Sequence, residues 1–136
     1  MALEVIGNEL LEIEFQNVKE DTCPSLSGRS TIIYQVGQTS DKDILIRIVR
    51  NSGAGKFNNE WISADTISEL IDNADGPFYS SLLIPLYEKK SVNSAGFLMA
   101  ILKHEGLVKS LKEGGYGRSK KSIKSLFKSR GSKSLS

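Results

Sequence analysis

The first half of the chain alternates. In Leu10–Gln16, Leu11, Ile13 and Phe15 share one side while Glu12, Glu14 and Gln16 share the other. A period of two predicts a half-buried strand. Glu20–Arg29 collects Asp, Pro, Ser and Gly, which is loop chemistry. Ser30–Val36 is β-branched and aromatic and predicts a second strand. Asp43–Arg50 predicts a third, with Ile44, Ile46 and Ile48 on one face and Leu45, Arg47 and Val49 on the other. Short polar connections between sequential strands predict an antiparallel meander.

After the glycine-rich Asn51–Gly55 the period changes. Ser63 is placed to cap a helix over Ala64–Asn73 whose inward positions are Ile67, Leu70 and Ile71. Asp75-Gly76-Pro77 ends it. Phe78–Lys89 predicts a second helix, with Pro85 awkward in its interior. Ser94 is read as the cap of a third, Ala95–His104, turned inward on Phe97, Leu98, Ile101 and Leu102 and stopped by Gly106. Its outer face would carry Ala95, Gly96, Met99, Ala100 and Lys103. Phe57 and Trp61 are expected in the core, with Trp61 bridging sheet and helices. Leu107–Lys112 reads as a strand, Glu113–Gly117 as a turn, and the chain after it as a return strand or irregular segment.

The expected fold class is α+β. Residues 1–56 would form an antiparallel three-stranded region. Residues 57–118 would form a three-helix, winged-helix-like unit packed on it, and residues 119–136 a basic, flexible tail. In a winged helix-turn-helix the third helix keeps a free face for a DNA groove, and the hairpin after it lays cations on phosphates.

Charge sharpens this picture. The chain has 136 residues, 18 Lys+Arg and 16 Asp+Glu, a net charge of only +2. Divided by position, residues 1–75 carry −7 and residues 76–136 carry +9. From Lys109 onward there are nine cations and a single anion, Glu113. Such asymmetry points the C-terminal end at a polyanion. The candidate nucleic-acid contacts are Lys89, Lys90, Asn93 and Lys103 around the third helix, and Lys109, Lys112, Arg118, Lys120 and Lys121 on the wing. Lys124, Lys128 and Arg130 continue them into the tail. The third helix offers few side chains with bidentate reach to bases, so recognition of backbone and shape is expected.

Other chemistry finds less support. Asn51–Phe57 fails as a phosphate loop, because Arg50 stands where its first glycine belongs and Phe57 where Ser or Thr belongs. Cys23 and His104 are each the only residue of their type, which excludes a disulfide framework and Cys- or His-rich metal sites. Glu12/Glu14 and Asp41/Asp43 read as solvated faces. Ile123, Leu126 and Phe127 give the tail a weak amphipathic pattern, too sparse for membrane binding. No catalytic residue, metal or cofactor is assigned. No apolar run has the length of a bilayer span, and no export signal is visible, so a cytoplasmic protein is expected.

The sequence therefore predicts a small, non-enzymatic nucleic-acid-binding protein, regulatory or accessory, with DNA preferred over RNA. The acidic N-terminal sheet would serve for dimerisation or a protein partner. The alternative is an adaptor or inhibitor acting through protein contacts alone.

Overall fold

A computed structural model describes residues 2–6, 9–53, 56–87 and 92–121, with side chains described from Glu14 onward and not for Val92. The fold is α+β. Its sheet contains four antiparallel strands in the order β3 (Phe15–Pro24), β4 (Thr31–Thr39), β5 (Ile44–Asn51) and β6 (Ile62–Ser63). Strands β1 (Ala2–Ile6) and β2 (Glu9–Ile13) pair with each other in a separate hairpin.

The sheet differs from the expected three-stranded meander in three respects. The alternation read as one strand over Leu10–Gln16 is divided at Glu14 between β2 and β3. The polar segment from Glu20 to Pro24, expected as loop, completes β3, with Cys23 opposite Ile32 and Pro24 opposite Thr31. Pairing to β4 overrides the turn-like composition there, and Pro24 is tolerated at the end of an edge strand. The fourth strand, β6, lies immediately before the first helix, so the helical half contributes to the sheet.

One face of the sheet builds the main core. Ile32, Tyr34 and Val36 of β4 stand beside Ile46 and Ile48 of β5, and all five are essentially inaccessible. The opposite face holds a smaller cluster of Leu45, Trp61 and Phe15. Trp61 is thus buried, but on the sheet face away from the helices rather than bridging to them. Its ring stacks with Phe15 at 4.6 Å between centroids, and the Arg47 guanidinium lies 4.6 Å above it. Arg47 Nε donates to Gln35 Oε1 at 2.9 Å, and Gln35 Nε2 to Glu20 Oε1 at 3.0 Å. A Cβ on Gly37 would stand 2.5 Å from the Phe15 ring, so glycine there is what lets the ring lie on the strand.

Helix α1 (Ala64–Asp72) follows β6 directly and buries Ile67 and Ile71. Ser63 has the extended backbone of a cap, but its side chain makes no capping hydrogen bond. The expected second α-helix is a 3₁₀ helix, Ser80–Leu86, containing Pro85. Proline cannot supply the donor an α-helical ladder needs, and a short 3₁₀ segment accommodates it. Phe78 instead forms an antiparallel bridge with Tyr116.

Helix α2 (Val92–His104) begins before Ser94, which is therefore not its cap. Ser94 is fully buried, and its hydroxyl accepts from the Asn58 N–H at 2.7 Å. The helix ends at Gly106, whose φ is +81°. Leu107 N–H donates to Leu102 O and Gly106 N–H to Lys103 O, the paired bonds of a Schellman stop.

The largest departure concerns what α2 faces. Ala95, Met99 and Ala100, expected on an outer surface, are buried together with Leu98, Ile101 and Leu102. A helix apolar on nearly all sides belongs in an interior. Accordingly α2 packs against the 3₁₀ helix on one side and β3, β5 and β7 (Val108–Ser110) on others. Among its described residues only Asn93, Lys103 and His104 are exposed, so most of the face expected to be free is covered. Beyond it, β7 pairs with β8 (Tyr116–Arg118).

Candidate nucleic-acid interface

The β7–β8 hairpin puts Val108 opposite Arg118, Lys109 opposite Gly117 and Ser110 opposite Tyr116. Its tip closes on Gly114 and Gly115, both with positive φ, and Leu111 N–H donates to Gly115 O at 3.0 Å. The hairpin does not project alone. Tyr116 N–H donates to Phe78 O at 2.7 Å and Phe78 N–H returns to Tyr116 O at 2.9 Å. Phe78 is therefore stitched to the hairpin as a third, one-residue rung.

Lys109, Lys112, Arg118, Lys120 and Lys121 are all exposed along this hairpin and the strap that follows it, with Glu113 the acid among them. They divide into two groups. Arg118 Nη1 donates to Asp72 Oδ1 at 2.6 Å, although the two side chains remain 64% and 48% exposed. Lys121 Nζ donates to Glu105 O at 2.7 Å, and the Ser119 hydroxyl donates to Gly106 O. These bonds hold the strap against carbonyls following α2, where the helix dipole favours cations. The side chains of Lys109, Lys112 and Lys120 make no hydrogen bond or ion pair among the described residues, and all three residues are exposed. Arg118, Lys120 and Lys121 also line a groove of about 250 Å³ whose opposite wall is Ser68, Ile71 and Asp72 of α1.

Around α2 the predicted contacts separate. Lys103 is exposed in the last turn. Asn93 is exposed, but its Nδ2 donates to Lys56 O at 3.1 Å, tying α2 to the segment before β6. Lys89, Lys90, Lys124, Lys128 and Arg130 lie outside the described residues, as do Ile123, Leu126 and Phe127.

Behind the strap lies a buried polar cluster. Glu105 is 8% exposed. Its carboxylate accepts a short hydrogen bond from the Tyr34 hydroxyl and faces Lys19 Nζ at 3.7 Å. Burial first, then the bond to Glu105, raises the Tyr34 hydroxyl well above its ordinary pKa. Burial, with the charges of Asp21 and Glu105, pushes the nearby Cys23 thiol up to about 11. A thiol held protonated is a poor nucleophile. The cluster joins the centre of the sheet to the end of α2.

Sequence reasoning missed Tyr79. It sits between Phe78 and the 3₁₀ helix and is 57% exposed. A Cβ on Gly115 would stand 3.1 Å from Tyr79 Cζ, and one on Gly114 would stand 3.6 Å from its hydroxyl oxygen. The phenol end of the ring therefore lies against the glycine tip. The signal available beforehand was an aromatic next to Pro77 and a Gly-Gly turn far along the chain; their meeting depends on the Phe78–Tyr116 bridge.

Among the described residues no group of three or more His, Cys, Asp or Glu could hold a metal ion, and no helix is long and apolar enough to cross a membrane. Compared with protein-family models, curated proteins and solved structures, the chain matches none.

Proposed function

We propose that the protein binds nucleic acid through the phosphate backbone, using the β7–β8 hairpin and the strap after it. The observation that carries this reading is the set of exposed cations at 109, 112, 118, 120 and 121, opposed locally by Glu113. Three of them, Lys109, Lys112 and Lys120, have their charge uncommitted among the described residues. Lysines placed this way neutralise phosphates and release counterions, which supplies affinity without sequence information.

Burial of α2 argues against a base-reading helix. Binding is then carried by charge and backbone shape, and Lys103 contributes as a flanking phosphate contact. Of the exposed acids of α1, Asp65, Glu69 and Asp72, the last borders the basic region directly at Arg118. They repel phosphates and confine a bound strand to the hairpin side. No bond-making chemistry is assigned to the chain.

The test is fluorescence anisotropy of a labelled 20-nucleotide strand, single and as duplex, in low salt. The wild type binds. Lys109→Gln combined with Lys112→Gln and Lys120→Gln binds at least tenfold more weakly while keeping its thermal unfolding midpoint. Equal binding by both proteins would remove the hairpin from the interface.

A further inference from the structure

We propose that Tyr79 is a base-stacking platform, which makes the partner a single-stranded nucleic acid. The inference rests on the phosphate-binding reading and adds the feature that reading lacks, a contact to bases. Among the described residues the exposed large hydrophobic side chains are Val18, Leu26 and Tyr79, and Tyr79 is the most open. It is also the one beside the basic hairpin.

The geometry prepares the ring for this role. Glycine at 115 leaves room for the end of the ring, whose Cζ lies 3.1 Å from where a Cβ would stand, and Gly114 lies beside the hydroxyl at 3.6 Å by the same measure. Tyr79 O accepts from Leu82 N–H at 2.9 Å, and the next residue back, Phe78, is bridged to Tyr116 on both sides. The backbone carrying the ring is thus fixed at both ends. The backbone needs little further ordering when the ring receives a base, which lowers the entropy cost of stacking. Lys112 belongs to the same tip, and Lys109 to the strand leading into it.

A polyanion site needs cations alone. An exposed aromatic held among them is the combination used to bind single strands, because every base has a face to stack and a duplex keeps its bases stacked internally. In that arrangement a base covers the open side of Tyr79, and the phosphates flanking it meet Lys109 and Lys112.

The experiment compares three probes of equal length with the full chain: a dT12 strand, the same backbone with abasic positions, and a 12-base-pair duplex. Tyr79→Ala is expected to weaken dT12 binding by roughly 5- to 100-fold, the range for loss of one stacked base. It leaves the abasic and duplex probes within about twofold, because their contacts are to phosphates. Tyr79→Phe retains the ring and restores dT12 binding, which separates stacking from any loss of packing on the tip. Lys112→Gln weakens all three probes. The proposal is overturned if Tyr79→Ala weakens abasic and dT12 probes alike, or neither. It also falls if Tyr79→Phe binds dT12 no better than Tyr79→Ala. Wild-type protein that binds none of the three overturns the phosphate reading itself, and this one with it.

Discussion

Tyr34 shows how one side chain connects the halves of the molecule. It lies mid-sheet opposite Ile48, yet its hydroxyl reaches Glu105 just beyond α2. Tyr34→Phe removes the donor and leaves a buried carboxylate with less compensation. The expected cost is about 1–3 kcal/mol, read as a lower urea midpoint at pH 7. Cys23 gives a prediction in pH. Its folded thiol titrates near 11 against an ordinary 9.0. Between those values the unfolded chain gives up the proton and the folded chain retains it, so stability falls as pH rises. The contribution is complete below pH 9.0 and is lost towards 11. Wild-type protein should therefore lose more stability from pH 8 to pH 10.5 than Cys23→Ala does, as measured by urea unfolding. Iodoacetamide at pH 8 should label Cys23 in urea and leave it largely untouched in the fold.

At the scale of elements, the central strands β4 and β5 were legible in the sequence, whereas β1, β6 and the second half of β3 were not. Ile44, Ile46 and Ile48 alternate as expected and bury together, because a period of two has one physical solution at a sheet face. Helix α1 was also legible, and its inward Ile67 and Ile71 are buried. Helix α2 ends where expected but starts three residues earlier, at Val92, and it was misread around its axis. The apparent outer stripe, Ala95, Met99 and Ala100, consists of small or apolar residues that suit an interior as well as a bare surface. Composition alone does not separate those cases, whereas packing does. Two substitutions make the distinction measurable. Ala100→Lys puts a charge at a site 3% exposed and should cost on the order of 4 kcal/mol by chemical denaturation. A free recognition face would tolerate it. Gly96→Ala meets nothing within 4 Å and should stabilise the protein by about 1 kcal/mol through helix propensity. The 3₁₀ segment was harder to read, since Leu82, Leu83 and Leu86 suggested an α-helix that Pro85 does not permit.

The whole molecule is electrically divided, and the division follows the fold. The exposed acids Glu14, Glu20, Asp41 and Asp43 belong to the sheet and its turns, and Asp65, Glu69 and Asp72 to α1. Lys109, Lys112, Arg118, Lys120 and Lys121 form a run of exposed cations on the β7–β8 hairpin and its strap, while the exposed Arg29, Lys42, Arg50 and Lys56 are dispersed among the acids of the first half. The direction of this asymmetry was legible from charge counts. The roles of individual cations were not, because pairing depends on contacts distant in sequence. Arg118 meets Asp72 across 46 residues, and Lys121 meets Glu105 O across 16. Tyr79 was hidden for the same reason, as a bridge between residues 78 and 116 brings it to the hairpin tip.

The most direct test of the central claim is the salt dependence of nucleic-acid binding, measured as log K against log of salt concentration between 50 and 200 mM. For a single strand the slope should be steep, about −0.7 for each phosphate neutralised. It should become shallower by about 0.7 for each of Lys109, Lys112 and Lys120 replaced by Gln. A slope near zero, a slope unchanged by these replacements, or no binding at 50 mM salt would contradict the account.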